Sequence, residues 1–330
     1  MWPDLVDLLT SARVVALPMT TRFRGITVRE AVLFEGPLGW TEFSPFLEYG
    51  DAEAASWLHA AIDFGWRAVP APLRDSIPVN ATVPAVPATD VRAVLARYPG
   101  ARTAKVKVAE PGQTLADDVA RVQAVRELLG PEGRIRVDAN ALWNVDEAEH
   151  AIHALAPFDL EYVEQPCASL DELVEIRRRT RYMDVPIAAD ESVRKAEDPL
   201  AVANAGAADL LIVKAQPLGG IHSALRIVAA AGLPVVVSSA IDTSVGIAMG
   251  AHLAAAVPEL LFDCGLGTAA MFVDDVCDEP LLPRGGAIPV VRPAVSRSKL
   301  DALAAPRERT AWWLERIRRC YALVERSTAL

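Results

Sequence analysis

The sequence has little that would cross-link it or hold it in a membrane. Its four cysteines, Cys167, Cys264, Cys277 and Cys320, are widely spaced and form no C-x-x-C pair. Reduced thiols in a cytoplasmic protein are the simple reading. Long apolar runs are missing too. Stretches such as I-V-A-A-A-G-L-P-V-V-V (227–237) are interrupted by Gly232 and Pro234 and are too short to span a bilayer. The acidic start, M-W-P-D-L-V-D-L-L-T, has no basic segment followed by an apolar one, so no signal peptide is expected. Positive charge is in deficit, with 33 Lys and Arg against 43 Asp and Glu and a net charge of −10. That balance argues against nucleic acid or an anionic membrane as the main partner. An anionic small molecule stays open, because a local metal ion or lysine cluster can reverse the field. No obligate protein partner is inferred.

What is there suits a soluble globular chain. Of 330 residues, 52% are apolar and 23% charged, enough for one large domain or two ordinary ones. Short strand-like runs recur at 78–83, 104–108, 134–140, 160–166, 186–192, 210–216, 234–240 and 260–265, their starts about 24 to 30 residues apart. The segments between them read as helices. Leu115, Val119, Val122, Val125 and Leu129 fall at helical spacing, Thr114 and Asp117 form a capping-box pair, and Gly130 is a stop. Eight strands alternating with helices predict an α/β fold, a modified (β/α)8 TIM-like barrel; an open doubly wound sheet is the alternative. The expected organisation is an α+β capping domain over residues 1–75, the barrel over 76–272, and a C-terminal segment, 273–330, that packs back on the cap.

Polar residues stand near the ends of the predicted strands: Lys105 and Lys107, Asp138 and Asn140, Glu164, Asp190 and Glu191, Lys214, Ser238 and Ser239, and Asp263. In a barrel the C-terminal strand ends gather at one mouth. Asp138 to Glu164 is 26 residues, Glu164 to Asp190 another 26, and Asp190 to Lys214 24, so these side chains recur at one point of the repeat and form a ring. Taken singly, an Asp at a strand end is commonly a helix cap or turn residue, and K-x-K is commonly a solvated edge. Those readings do not account for three carboxylates on successive strands flanked by lysines. Three such anions stay ionised together only if a cation joins them, and oxygen-only ligation selects a hard divalent ion, Mg²⁺ before Mn²⁺. Lys214, closing the apolar run L-L-I-V (210–213), is then tolerated because anions share its site.

The ordered motifs K-V-K (105–107), V-D-A-N (137–140), V-E-Q-P (163–166), A-D-E-S (189–192), V-K (213–214) and S-S-A-I-D-T-S-V-G (238–246) resemble the enolase superfamily, in its muconate-lactonizing subgroup. The resemblance implies that Asp138, Glu164 and Asp190 ligate the metal. It implies that Lys107 is general base and then general acid, that Lys214 faces it across the substrate, and that Lys105 lies beside Lys107. Asn140 and Glu191 would support the ligands. Ser238, Ser239 and the backbone at Gly265 would line the substrate end, and the loop near Thr21–Gly25 would close over it. Asp242 departs from the subgroup, where Glu is frequent, so no role is carried onto it. Within the subgroup the motifs are most similar to members that dehydrate a hydroxycyclohexadiene carboxylate in menaquinone biosynthesis. N-acylamino acid racemases or dipeptide epimerases are the nearest alternative, a muconate-type cycloisomerase a weaker one, and a Schiff-base aldolase or a non-catalytic barrel the readings from other classes. His222 and His252 receive no role.

Overall fold

The structure is a computed structural model that describes residues 2–194 and 198–328. Its strands are β1 (Arg13–Phe23), β2 (Ile26–Gly36), β3 (Gly39–Phe43), β4 (Ser76–Pro78), β5 (Ala81–Val83), β6 (Thr103–Lys107), β7 (Arg134–Asp138), β8 (Leu160–Glu164), β9 (Ile187–Ala189), β10 (Leu210–Val213), β11 (Val235–Val237) and β12 (Ala287–Pro289). The helices are α1 (Leu5–Ser11), α2 (Asp51–Trp66), α3 (Val91–Leu95), α4 (Leu115–Leu129), α5 (Val145–Leu155), α6 (Leu170–Thr180), α7 (Asp198–Ala205), α8 (Ile221–Ala231), α9 (Ser244–Ala256), α10 (Arg297–Ala302) and α11 (Arg307–Thr328). None among the described residues is long and apolar enough to cross a membrane.

Strands β5 to β11 form one parallel sheet in sequential order. It closes through two parallel bridges, Val79 to Cys264 and Ser238 to Gly265, so Cys264–Gly265 serves as the eighth stave. Most predicted strands end before their expected bounds, and the first and last depart furthest. The first splits: Pro78, which has no amide hydrogen, ends β4, and β4 leaves to pair with β12 while β5 stays in the barrel. The last shrinks to Cys264–Gly265, because Asp263 turns its carboxylate to Thr103 Oγ1 (2.6 Å) and Arg134 (3.0 Å) at the starts of β6 and β7. Asp263 therefore sits at the N-terminal end of the barrel, not at the mouth where its neighbours on other strands were expected.

Alternation along each stave decides which side chains enter the barrel. Tyr162, Ala188, Leu210, Ile212 and Val236 form a small inner cluster, while Val137, Val163, Ala189, Leu211, Val213 and Val237 join the larger core shared with the helices. Two residues beyond the inner set come Glu164, Asp190, Lys214 and Ser238, so strand phase alone points them inward at the C-terminal end.

The cap is the antiparallel sheet β1–β2–β3 with α2 and α11. Helix α11 is fastened by Glu30, which accepts from Arg309 (2.6 Å) and from Trp313 Nε1 (2.8 Å). Strands β1 and β2 join through Arg24–Gly25, both at positive φ (49° and 79°), between the paired residues Phe23 and Ile26. The loop after β11 carries Ala240 and Ile241 into the apolar core of the cap. Helix α9, buried nearly all round, follows it. Glu42 on β3 accepts from the Thr243 and Gly246 amides (3.1 Å each) at the start of α9, where a helix favours an anion. A Cβ at Gly246 would stand 2.6 Å from Asp242 Cβ and 2.9 Å from the Glu42 carboxyl carbon. Gly246→Ala is expected to cost about 1–3 kcal/mol through overpacking, read as a lowered thermal midpoint; an unchanged midpoint would contradict this close packing.

Candidate active site

Strand pairing sets the ring. Lys107 lies in register with Asp138, and Asp138 with Glu164, all at the last residues of their strands. Asp190, Lys214 and Ser238 each follow the last residue of theirs. Counting staves from β5, Lys107 stands on the second and Lys214 on the sixth, half a turn apart in an eight-stave barrel, with the three carboxylates on the third, fourth and fifth.

Lys105 Nζ bridges Asp138 (3.0 Å) and Glu164 (2.7 Å). Lys107 donates to Asp138 and to Asn140, and Lys214 donates to Asp190. All three carboxylates are buried. Burial pushes the Asp138 carboxyl upward, but Lys105 and Lys107 outweigh it and hold it well below the usual carboxylate range. Asp190 is brought down to about 2, with Lys214 and then Lys105 overcoming burial. Glu164 goes the other way, to about 8, through burial and the neighbouring Asp138. The lysines diverge as well. Burial lowers Lys105, yet Asp138, Glu164 and Asp190 together hold it well above its ordinary value. Lys107 is lowered, first by burial and then by the charge of Lys105, with Asp138 opposing. One amine is thus locked as a cation and its neighbour is eased toward the free base.

Among the described residues no group of three His, Cys, Asp or Glu side chains is already closed around one metal position. Lys105 Nζ stands between Asp138 and Glu164 instead, with Lys107 on Asp138 and Lys214 on Asp190. The donor set nevertheless fits a hard divalent cation. It is all oxygen, it lies on adjacent strands, and Glu164 Oε2 is buried with no hydrogen-bond partner.

Around the ring, Lys105, Lys107, Asp138, Asn140, Asp190, Lys214, Ser238, Ser239 and Gly265 all line one pocket, at its junction with the cap. Glu164 lies below, reached through Lys105, and Glu191 lies beside it, accepting from Asn140 Nδ2 (3.2 Å) and Arg194 (2.5 Å). Ser239 Oγ donates to Gly265 O (2.8 Å) and meets Thr268 Oγ1 (2.7 Å), which fixes that wall. Asp242 is near but turned away, accepting from Gln216 (3.1 Å) and the Ala240 amide (3.2 Å). His222 pairs with Asp63 at 3.1 Å, and His252 packs on Phe64; neither lines the pocket.

Sequence reasoning missed several residues. Phe46 comes from the cap, and Thr82, Ala240, Ile241 and Thr268 from barrel loops, while Phe23 and Arg24 belong to the Thr21–Gly25 loop that was expected over the substrate without any contact assigned to it. Gln165 was also missed. Its side-chain oxygen accepts from the Asp190 amide (2.9 Å) and the Ser192 amide (3.2 Å), pinning one carboxylate strand to the next. Its position inside V-E-Q-P was the available signal; the structure adds a left-handed φ of 38° there.

Residues 88–294 match the enolase C-terminal domain-like family and residues 14–65 the enolase N-terminal domain-like family, and the chain belongs to the enolase superfamily. Members of that superfamily typically use a divalent metal ion. Among curated relatives, the chain is 57% identical to the o-succinylbenzoate synthase of Mycolicibacterium smegmatis over 98% of both chains. It is 56% identical to that of Mycobacterium tuberculosis over 98% of this chain and 97% of the relative. Among solved structures it resembles muconate lactonizing enzyme from Pseudomonas putida (TM-score 0.73, 19% identity, 89% of this chain and 98% of that one). It also resembles 2-chloromuconate cycloisomerase from Rhodococcus opacus (TM-score 0.76, 23% identity, 90% and 98%). The structural likenesses show the fold, a barrel with an enolase-type cap.

Proposed function

We infer that the chain catalyses the o-succinylbenzoate synthase reaction, a hydro-lyase step of menaquinone biosynthesis. It removes water from 2-succinyl-6-hydroxy-2,4-cyclohexadiene-1-carboxylate. The observation that carries the reading is an amine on each of two opposed staves with three carboxylates between them, in a chain 57% identical end to end to a synthase of that name.

The hydrogen to be removed is α to a carboxylate and very weakly acidic, so the reaction needs a base of modest pKa and stabilisation of the enediolate. Asp138, Glu164 and Asp190 would hold the divalent ion, Mg²⁺ by their donor chemistry, with Asn140, Gln165 and Glu191 bracing them. When bound, that ion supplies Lewis-acid stabilisation of the substrate carboxylate as negative charge develops on it. Lys107 Nζ, as free amine, takes the α-proton, and the C–H electron pair passes into the enediolate. Lys105, fixed as a cation beside it, favours the uncharged state of Lys107 beforehand. The enediolate electrons then form the ring double bond as the C–O bond breaks. The departing hydroxide takes the proton back from Lys107, so one water leaves and the ring becomes aromatic. Lys214 exchanges no proton in this scheme; from the opposite stave its charge stabilises the enediolate and the π-system. Phe23, 5.1 Å from Lys107 Nζ, helps keep water away from the base.

Lys214→Ala is expected to fold and to lose about 10²-fold in kcat, the usual scale for removing one group that stabilises developing negative charge. Dehydration at the wild-type rate would contradict that role. The placement of amines on both staves also keeps racemisation of N-acylamino acids in view as a second activity. α-Proton exchange of an N-succinyl amino acid in D₂O, compared between wild type and Lys214→Ala, tests it. Four free, buried cysteines support a cytoplasmic setting. The direct test is an ultraviolet assay of purified protein with Mg²⁺ and the cyclohexadiene. Aromatisation with loss of water is expected, and an inert wild-type protein would sink the assignment.

A further inference from the structure

The cyclohexadiene substrate carries two carboxylates, and only one adjoins the reacting carbon. The succinyl arm ends in the other, and burying it without a partner would cost several kcal/mol. The pocket's three lysines are engaged elsewhere: Lys105 with Asp138 and Glu164, Lys107 with Asp138, and Lys214 with Asp190. Among the described residues that line the pocket, the remaining cation is Arg24, at the tip of the β1–β2 hairpin in the cap.

Arg24 is an uneconomical choice for that position. With Gly25 it forms a two-residue turn in which both residues have positive φ, a geometry that strongly favours Asn-Gly or Gly-Gly. An L-residue there is strained by roughly 1–2 kcal/mol, and such strain persists where a particular side chain is needed. The turn projects from the cap, yet the Arg24 side chain is only 26% exposed, folded inward over the Phe46 ring at 4.6 Å. Its ion pair with Glu191 is long, 3.9 Å, and Glu191 is already held by Arg194 at 2.5 Å. The guanidinium also neighbours the Tyr49 hydroxyl. With five donors on its planar fork, it keeps a face for a bidentate carboxylate contact.

We propose that Arg24 binds the carboxylate at the end of the substrate's succinyl arm, and so selects dicarboxylates whose second acid lies on the cap side. This rests on the dehydration reading above. Arg24 is a specificity-determining residue here, and takes no part in proton transfer.

The test compares o-succinylbenzoate with the neutral amide of its arm carboxyl, as inhibitors and as calorimetric ligands of the Mg²⁺-loaded full chain. Wild type should bind the acid about 30-fold more tightly than the amide, the size expected of a net charge-assisted hydrogen-bonded pair. Arg24→Gln should lose that preference and raise KM for the cyclohexadiene by a similar factor, with kcat within about threefold of wild type. Arg24→Lys should recover part of the preference, and Arg24→Asn, better suited to the turn, should lose it without lowering the thermal midpoint. An Arg24→Gln protein that still prefers acid to amide by the wild-type factor would overturn the proposal. Should wild type not dehydrate the cyclohexadiene, the reaction assignment fails, while the acid-to-amide comparison still decides the role of Arg24.

Discussion

Replacing Lys107 by alanine is expected to lower kcat/KM for the cyclohexadiene by about 10⁴-fold, the upper end of what one acid–base group contributes, because the same amine serves both proton transfers. The protein should still fold. Lys107 is buried, but its partner Asp138 keeps Lys105 at 3.0 Å, so the substitution leaves no unpaired buried anion. Circular dichroism and the thermal midpoint should therefore resemble wild type while turnover is lost. The α-proton of an N-succinyl amino acid should also stop exchanging from the face of Lys107. The pairing of Lys105 held charged with Lys107 eased toward neutrality makes a second statement. Lys105→Met should remove a cation that helps keep Lys107 deprotonated, and so reduce rate at neutral pH even though Lys105 transfers no proton. Near-normal dehydration by Lys107→Ala would end the mechanism.

Stripping divalent metal with EDTA is the second large effect. Activity is expected to fall more than about 10³-fold, since several kcal/mol of enediolate stabilisation depend on the ion and each 1.36 kcal/mol is tenfold. Mg²⁺ should restore it, with one ion per chain. Binding should also register without turnover. At 100 times its dissociation constant, an ion that binds only the folded chain adds about 2.7 kcal/mol, so the thermal midpoint should rise by a few degrees. In Glu164→Gln the shift should shrink, because Glu164 Oε2 is the ligand-ring oxygen that is buried without a hydrogen-bond partner. A metal-free enzyme of full activity, or an unchanged midpoint with Mg²⁺, would remove the ion from the account.

How much of this could be read beforehand differs by element. The inward phase of Asp138, Glu164, Asp190 and Lys214 was legible, because a parallel barrel repeats strand and helix at a nearly fixed period and their spacing follows that period. The capping box at Thr114 and Asp117 was legible for a local reason, a three-residue motif ahead of helical spacing. The same signature at Asn144–Glu147 and Ser169–Glu172 starts α5 and α6 and could have been read the same way. Asp263 misled because its chemistry matched the mouth residues while its stave is only two residues long, which puts it at the other end. Phe46 and Thr268 were not legible as site residues, and Arg24 was legible only as part of the loop near Thr21–Gly25. They arrive from the cap and a late loop, and only tertiary docking sets their distance to the lysines. Their local sequence reports turn and strand alone.

The ring of carboxylates bears the most weight, and a crystal of the protein grown with Mg²⁺ and o-succinylbenzoate addresses it directly. The account predicts one ion about 2.0–2.1 Å from an oxygen of each of Asp138, Glu164 and Asp190, with the lysines displaced from between them. Lys107 and Lys214 should face opposite sides of the bound ring. An ion bound elsewhere, or both lysines on one face of the ligand, would contradict it.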